Sequence, residues 1–457
     1  MKIFKYLSSI LLVSSLGLEL GAETLDGTWG GTLHIQGHSL RMVFHITASP
    51  ERDSLPKVLM DSPDQGAKDI PVNTDFWTPD SIAISAPALG MKYTGKLAGD
   101  SVKGTFSQMG ISIPLNLTRE LQTRNRPQTP QPPFPYKTEE VTFTGETPDV
   151  SLAGTLTLPP GFTSDTPVVL MVSGSGLQDR DETIFEHKPF AVLADRLGRA
   201  GIASLRYNDR SVPPSTGNAT AATTADFAKD ASGGINYLRN RGFKKIGILG
   251  HSEGGAIAFI LANDADFIVT LGAPAVSGAE IMTDQLTSSM RAAGLGEAEC
   301  ERCRAVFSDF FKALSEIPTD AAEQTEYAHK AMDLAMQKHS GPQYAEWMPI
   351  SAARNNMQSI LAPWMLYFIN YSPDQDIREA KAPALALYGE KDMQVRPALN
   401  ERPLRNLNKR VNVKVYQGLN HLMQPCKTGG PTEYSEIETT IDEAVIADIV
   451  SFIKSLN

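Results

Sequence analysis

The sequence contains little cysteine, and this shortage excludes several classes of protein. Only three cysteines occur among 457 residues, so neither a dense disulfide framework nor a four-cysteine zinc site can form. Cys300 and Cys303 lie in a charged stretch with helical character, which leaves two alternatives, a local disulfide or two buried thiols. The pairing of these two residues and of Cys426 stays open at this stage.

A surplus of positive charge is also absent. The formal net charge is −10 at pH 7, so the sequence has no electrostatic signature of a protein that binds nucleic acid or an anionic membrane surface. The hydrophobic fraction of 41% and the charged fraction of 21% are typical of a globular protein. The length predicts more than one domain.

Long hydrophobic runs are missing beyond the N-terminal residues. Residues 1–22 combine early lysines, an apolar stretch from Leu7 to Leu18 and the small pair Gly21-Ala22, which is the order of a secretory signal peptide. We therefore expect export to the periplasm or to the cell exterior. No later run reaches the roughly 18 apolar residues that a membrane-spanning helix requires, so no permanent membrane span is expected.

Residues 23–123 predict a small β domain, because short runs alternate between apolar and polar side chains, as in Ile111 to Leu117. No catalytic motif occurs in this part, and its partner is left open. The histidines at positions 34, 38 and 45 lack a carboxylate or cysteine at metal-ligand spacing, so no metal site is expected. Residues 124–136 contain five prolines and predict a stiff extended linker to a larger domain at residues 137–457.

The larger domain contains one motif with a strong chemical meaning. An apolar run typical of a buried strand precedes Gly250-His251-Ser252-Glu253-Gly254, and a helix-like apolar segment follows it. The sequence thus predicts a strand, a sharp turn and a helix, an arrangement that exposes a serine hydroxyl as a nucleophile. The two glycines let the strand and the helix approach each other closely. Ser252 is the predicted nucleophile.

An acid and a histidine follow this serine in the order expected for a hydrolytic triad. Asp392 comes directly after an apolar strand-like run, and Glu390 in the same loop is a rival acid. His421 comes after the last alternating run. Because the ends of parallel strands meet at one edge of a sheet, we expect Asp392 to orient His421 and His421 to activate Ser252.

Such a triad also needs donors for the negative charge that develops on the substrate oxygen. The amide of Glu253 is one donor, and we predict that the second comes from an earlier strand-end loop, from Ser175 or, as second choice, from Gly176. A dinucleotide-binding loop is the alternative interpretation of Gly174-x-Gly176. It fails because Asp179 stands where the third glycine belongs, so no cofactor is expected.

Strand-like runs near residues 138, 151, 167, 203, 245, 267, 383 and 411 alternate with helical segments and predict a mostly parallel eight-stranded sheet. The stretch at about 277–376 is too long for an ordinary crossover and has a helical pattern, which indicates a cap. Its large apolar residues either pack in a core or line an acyl pocket over Ser252. The pocket candidates are Trp347, Trp364, Tyr367 and Phe368.

Together these motifs resemble the α/β-hydrolase superfamily, and within it a bacterial group of exported esterase-like and serine-aminopeptidase-like hydrolases. The resemblance spans residues 137–457 and includes the loop that begins at Ser173, where many members of the group have histidine. It implies the α/β-hydrolase fold. It also implies acyl transfer to water, with Ser252 as nucleophile, His421 as base and acid, and Asp392 orienting the imidazole.

The substrate class is less sharply defined than the reaction. We expect a carboxylesterase that acts on a small-molecule partner, an ester with a small or medium acyl group. A serine aminopeptidase would need a carboxylate for the substrate amine, which Glu253, Asp179 or Asp181 could supply. An acyl thioesterase is a further alternative. From a different class, an exported binding protein without turnover stays open, although the intact triad residues argue against it.

Overall fold

The computed structural model describes residues 24–35, 38–49, 54–65, 67–108, 110–121, 123–292, 294–339 and 348–456. The predicted signal peptide lies outside these residues. The chain divides into two compact units, Met1–Thr123 and Arg124–Asn457.

The first unit is built from short antiparallel strands. In the described residues these are β1 (Gly27–Ile35), β2 (His38–Thr47), β3 (Lys57–Ser62), β4 (Ala67–Thr78), β5 (Ser81–Ala86), β6 (Met91–Ala98), β7 (Ser101–Gln108), β8 (Ile111–Pro114) and β9 (Leu117–Thr118). The sheet order is β6-β5-β4-β3-β2-β1-β9-β7-β8, and β6 also pairs with β7. This last pairing closes the sheet into a barrel and confirms the predicted small all-β domain.

Large apolar side chains fill the barrel. Trp29, Phe44 and Tyr93 are buried, and the rings of Phe44 and Tyr93 stack with their centroids 5.2 Å apart. The indole nitrogen of Trp29 donates a hydrogen bond to the carbonyl oxygen of Leu25 at 2.8 Å, which satisfies a buried polar atom. The barrel therefore has a core of its own.

The predicted strand over residues 111–117 is two strands in the structure, β8 and β9. The alternation places Ile111 on the same face as Leu115 and Leu117, but its side chain is 63% exposed, because β8 lies at the end of the sheet beside β7. Leu115 and Leu117 are buried. The alternation of apolar and polar side chains thus indicates the strands correctly, but it does not predict the exposure of Ile111.

Two histidines of the barrel are held by side chains of neighbouring strands. His45 Nε2 lies 2.8 Å from Asp61 Oδ2, and His45 Nδ1 lies 3.1 Å from Thr28 Oγ1. His34 Nδ1 lies 3.1 Å from Ser39 Oγ. The side chain of the third histidine, at position 38, lies outside the described part of the chain.

The second unit contains an eight-stranded sheet. Its strands are β10 (Lys137–Thr144), β11 (Ser151–Leu158), β12 (Val168–Val172), β13 (Ala203–Tyr207), β14 (Ile246–His251), β15 (Phe267–Leu271), β16 (Ala384–Gly389) and β17 (Val411–Tyr416). They lie in the order β10-β11-β13-β12-β14-β15-β16-β17. The pairings of β11 with β10 and with β13 are antiparallel, and the others are parallel. This arrangement confirms the predicted mostly parallel sheet and the α/β-hydrolase fold.

Helices follow most of these strands. They are α1 (Pro189–Arg199), α2 (Thr224–Asn240), α3 (Glu253–Ile260), α4 (Gly278–Ala292), α5 (Glu297–Ala313), α6 (Ala321–His339), α7 (Met348–Asn355), α8 (Met357–Ile360), α9 (Pro363–Asn370), α10 (Asp374–Glu379), α11 (Pro397–Leu407) and α12 (Glu443–Ser455). None of the helices among the described residues combines the length and the apolar character needed to cross a membrane.

The sheet of the second unit is covered on both faces, because its central strands are apolar on both sides. Successive residues of β12 point in opposite directions. Val168 and Leu170 join the hydrophobic core that contains α2 and α3, whereas Val169 and Met171 join the core that contains α1 and α12. This leaves the ends of the strands as the accessible part of the sheet.

The insertion between β15 and β16 is a helical cap, as expected from its length and pattern. Helices α4 to α9 enclose a separate hydrophobic cluster that includes Phe307, Phe310 and Met332. Cys300 and Cys303 belong to the same cluster and are both free, so the second alternative, two buried thiols, describes them. Burial raises the pKa of the Cys303 thiol to about 12, which makes it unreactive. Cys426 is also free.

The proline-rich stretch at residues 124–136 lies against the second unit and does not behave as a free spacer. The guanidinium of Arg126 donates to the carbonyl oxygens of Ser435 and Ile437 at 2.9 and 2.7 Å. The hydroxyl of Tyr136 donates to Asp195 at 2.9 Å. These polar side chains between the prolines fix the segment to the surface, which composition alone does not indicate.

Candidate active site

Ser252 lies in a sharp turn between β14 and α3. Its backbone angles are φ 53° and ψ −117°, a conformation that costs a non-glycine residue about 1–3 kcal/mol and is found mainly at functional sites. The amide of Ser252 donates to the carbonyl oxygen of Leu271 in β15 at 2.8 Å. The serine is therefore held in a strained and well-defined position at the end of the sheet.

The glycines of the motif are required by close contacts. A Cβ atom at Gly250 would lie 2.0 Å from the carbonyl oxygen of Gly254, and one at Gly254 would lie 2.1 Å from the carbonyl oxygen of Val172. Atoms cannot approach so closely, so larger residues would push α3 away from β14 and β12. The strand-turn-helix prediction thus agrees with the local geometry.

Asp392 and His421 are in direct contact. His421 Nδ1 lies 2.7 Å from Asp392 Oδ2, and each residue is 2% exposed. The other carboxylate oxygen of Asp392 accepts the amides of Gln394 and Val395 at 2.7 and 2.8 Å. The carboxylate is therefore fixed from two sides and orients the imidazole.

Glu390, the rival acid, has a different partner. Its side chain is exposed and accepts the amide of Gly418 at 3.1 Å. His421 is therefore in contact with Asp392, whereas Glu390 binds the amide of Gly418.

Ser252 and His421 both lie close to the end of β15. Gly272 follows Leu271, whose carbonyl oxygen binds the amide of Ser252, and a Cβ atom at Gly272 would lie 3.0 Å from Nδ1 of His421. The side chains of Ser252 and His421, both among the described residues, are not joined by a hydrogen bond in this structure. Such bonds often form or tighten only with substrate, so the arrangement is compatible with proton transfer.

The loop after β12 passes over the nucleophile turn. A Cβ atom at Gly174 would lie 3.2 Å from Ser252 Cβ, and the amide of Gly174 donates to Glu182 Oε1 at 2.7 Å. Ser175 and Gly176 are exposed, and their amides bind no other described residue. The amide of Glu253 is the first of α3, where backbone donors have no partner inside the helix. The three predicted donors are thus free to bind a substrate oxygen.

Asp209 fixes the same loop. Its carboxylate accepts the amide of Gln178 at 2.8 Å and lies 3.4 Å from Ser173 Oγ. Burial raises the pKa of Asp209 to about 8, although the bonds from Gln178 and Ser173 oppose this shift. The hydroxyl of Ser173 therefore links the loop to Asp209 at the position where many members of the resembling group have histidine.

The side chain of Glu253 joins the nucleophile turn to the cap. One carboxylate oxygen accepts the Thr224 hydroxyl at 2.6 Å and the indole nitrogen of Trp364 at 2.8 Å. Burial raises the pKa of this carboxyl group, and the bonds from Thr224 and Trp364 oppose the effect. Helix α9 of the cap is thereby held beside Ser252.

Three of the predicted pocket residues lie on α9 and have different polar and apolar contacts. Trp364 reaches the nucleophile turn through Glu253, whereas Phe368 packs in the hydrophobic core of the second unit. Tyr367 lines a groove with Tyr371 along α2. Trp364 contacts the nucleophile turn, and an acyl-pocket role for Trp364, Tyr367 and Phe368 stays a prediction. The fourth residue, Trp347, lies outside the described residues.

Two further residues of the site were not found from the sequence. His251 Nδ1 lies 2.8 Å from Glu182 Oε1, and His251 Nε2 lies 3.2 Å from the carbonyl oxygen of His421. The sequence placed His251 in the turn but gave its side chain no role, and Glu182 belongs to no motif. A buried histidine inside the nucleophile motif is the signal that would have pointed to a partner.

No protein-family model matches the sequence. The esterase EstD of Thermotoga maritima is 26% identical over 326 residues, which cover 69% of this chain and 67% of that protein. Among solved structures, an esterase of Pyrococcus furiosus superposes with a TM-score of 0.41 at 14% identity, over 74% of this chain and 99% of that chain. A proline iminopeptidase of Mycobacterium smegmatis gives a TM-score of 0.42 at 16% identity, over 70% and 98%.

The order of the strands, the strained serine turn after β14 and the contact of Asp392 with His421 at later strand ends define a hydrolase-type site on an α/β sheet. These features and the similarity to the esterase of Thermotoga maritima agree with the resemblance to the α/β-hydrolase superfamily.

Proposed function

We propose that this protein is a serine carboxylesterase that cleaves esters with small or medium acyl groups. The observation that carries the proposal is the 2.7 Å contact between His421 Nδ1 and Asp392 Oδ2 beside the strained turn of Ser252. The name of the relative from Thermotoga maritima, an esterase, supports ester substrates.

The proposed reaction uses a covalent acyl-enzyme. Because the Asp392 carboxylate only accepts, Nδ1 of His421 carries a proton and Nε2 is the base. Nε2 takes the proton of the Ser252 hydroxyl as its oxygen attacks the ester carbonyl, and it returns that proton to the departing alcohol. Water, activated by the same nitrogen, then releases the acid and restores the serine.

The negative charge of each tetrahedral intermediate falls on the former carbonyl oxygen. The amides of Glu253 and Ser175 are the proposed donors to this oxygen, with Gly176 as the alternative to Ser175. All of them are backbone groups, fixed by α3 and by the loop that Asp209 and Glu182 hold. Fixed donors cost little reorganisation during the reaction, which makes them effective.

A peptidase that binds a substrate amine is less well supported than an esterase. Asp181 forms ion pairs with Arg206 and Lys188. Asp179 accepts two backbone amides of its own turn. The carboxylate of Glu253 is bound by two donors and has a raised pKa, which disfavours a charged acceptor for an amine. A thioesterase would use the same catalytic groups as an esterase, so only a comparison of substrates distinguishes the two activities.

Rates on three substrate classes test the proposal. The classes are p-nitrophenyl esters from acetate to dodecanoate, aminoacyl anilides and acyl thioesters, each with the native chain, with Ser252→Ala and with Ser315→Ala, which changes an exposed serine of the cap. We expect hydrolysis of the shorter esters by the native and Ser315→Ala chains and none by Ser252→Ala. A preference for anilides or thioesters would select the alternatives, and no turnover of any class would favour a binding protein.

We also propose that the chain is exported, on the basis of the signal-like order of residues 1–22. Expression in a Gram-negative host should give a product in the periplasmic fraction, shortened by about the length of this segment. A full-length product confined to the cytoplasm would contradict the proposal.

A further inference from the structure

We propose that Glu182 and His251 form a buried ion pair that positions the active site. The pair joins three parts of the site, namely the loop after β12 that carries the proposed oxyanion donor Ser175, the nucleophile turn and the loop of His421. Both are positioning residues, because they contact the residues that carry the chemistry and would not contact the substrate themselves. This inference rests on the proposed function, since it concerns the same site.

The first observation is that one oxygen atom connects two parts of the site. Glu182 Oε1 accepts the amide of Gly174 at 2.7 Å and lies 2.8 Å from His251 Nδ1. Gly174 directly precedes Ser175, the proposed oxyanion donor, and His251 directly precedes Ser252. The spacing between the oxyanion donor and the nucleophile is thus set through a single carboxylate.

The second observation concerns the other ring nitrogen of His251. Nε2 lies 3.2 Å from the carbonyl oxygen of His421, and the two rings lie with their centroids 4.7 Å apart. Through this contact the nucleophile turn is connected to the loop of the catalytic base. The three parts of the site therefore meet at one histidine-glutamate pair.

The partners of His251 determine its charge. A carboxylate oxygen and a carbonyl oxygen both only accept hydrogen bonds, and a neutral imidazole carries one N–H. Both contacts can be hydrogen bonds at the same time only if both nitrogens are protonated. The geometry thus selects the imidazolium form, with Glu182 as its counter-ion.

The surroundings favour the same form. Burial opposes a charge on His251, but the Glu182 carboxylate, the His421 carbonyl and the charge of Asp392 together hold the pKa of His251 above its usual value. The titratable groups that face the ring are Glu182, Asp392 and His421. The positive charge is therefore stabilised from the loop after β12, from the loop after β16 and from the loop after β17.

Stability alone gives a weak reason for such a pair. Glu182 and His251 are 4% and 7% exposed, and a buried ion pair gains little over apolar residues of similar size. Glu182 also has a backbone φ of 51°, a strained conformation for a non-glycine residue. Positioning of the catalytic groups accounts for both features.

Loss of the pair should lower turnover more than binding. In Glu182→Gln the amide oxygen can still accept one bond, but the counter-ion is lost, so His251 releases a proton at lower pH. We expect kcat on p-nitrophenyl butyrate to fall by about a hundredfold, the effect of a misplacement near 1 Å, with KM little changed. The alkaline limb of the pH profile should move to lower pH.

The matched control is Asp195→Asn, which removes a buried carboxylate that pairs with Arg196 and Arg199 on α1. It should lower the melting temperature and leave kcat and the pH profile unchanged. If Glu182→Gln behaved like this control, the pair would be merely structural and the proposal would be overturned.

The charge of His251 can be read without any substrate. In protein labelled with ¹⁵N-histidine, one ring of the native chain should keep both nitrogens protonated at pH 7, and this signal should vanish in His251→Gln. A neutral His251 at pH 7 would overturn the ion pair. Because this measurement needs no turnover, its outcome is independent of whether the chain hydrolyses esters.

Discussion

Trp364 Nε1 donates a hydrogen bond to Glu253 Oε1 across 2.8 Å and so joins the cap to the residue that follows Ser252. The amide of the same glutamate is a proposed oxyanion donor. The position of the cap and the position of this donor are therefore coupled through one side chain.

Trp364→Phe tests this coupling, because it removes the N–H donor and keeps an aromatic ring that can stack on Phe368. The buried Glu253 carboxyl loses one of two donors, so the free energy of unfolding should fall by about 1–3 kcal/mol in urea titrations. We also expect an altered acyl-length profile of kcat/KM. Tyr367→Phe on the same helix, where the side chain faces the groove, is the control. An acyl-length profile of Trp364→Phe identical to that of the control would contradict the coupling.

Asp392→Asn should lower kcat by about ten-thousandfold, because an amide stabilises the wrong tautomer of His421. Its melting temperature should change far less than its activity. Glu390→Gln, which alters an exposed carboxylate in the same loop, should retain nearly native kcat. The reverse result in ester hydrolysis assays would move the role of the acid to Glu390.

The sheet and the serine turn are predictable because their causes are local. Alternation and apolar runs mark the strands within a residue or two, and Gly250 and Gly254 permit the contacts of 2.0 and 2.1 Å that the turn requires. Asp392 was chosen over Glu390 from its position after a strand, and its contact with His421 agrees with that choice. The strands, the serine turn and the acid are therefore predictable from residues that are close together in the sequence.

The remaining parts of the site depend on contacts between distant segments. Glu182 and His251 are 69 residues apart, and Glu253 and Trp364 are 111 apart. Neither pair has a sequence pattern, because the partners meet only after the sheet and the cap have packed. The helical pattern of α9 likewise did not reveal that Tyr367 lines a groove along α2, because that groove forms only when the two helices pack.

Asp209→Asn should change how stability depends on pH. Burial raises the pKa of Asp209 to about 8, so the folded state holds a proton that the unfolded chain releases near pH 4. The stabilisation from this proton is present below about pH 4 and is lost as the pH rises through about 8. Asparagine is neutral throughout and can still accept the Gln178 amide. Melting temperatures between pH 5 and pH 9 should therefore fall less in Asp209→Asn than in the native chain, and equal slopes would contradict the assignment.

Truncation can separate the barrel from the segment that follows it. A chain that begins at Arg124 should hydrolyse p-nitrophenyl acetate at close to the full-length rate, because all proposed catalytic groups and their partners belong to the second unit. A chain that begins at Lys137 also loses the bonds of Arg126, Gln128 and Tyr136 to that unit. At about 1 kcal/mol for each hydrogen bond, its melting temperature should lie several degrees below that of the chain that begins at Arg124.

The two truncated chains can contradict these expectations separately. If the chain that begins at Arg124 folded, as judged by circular dichroism, but did not turn over substrate, the barrel would have to contribute to the site. Equal melting temperatures for the two truncations would mean that residues 124–136 act as a linker after all.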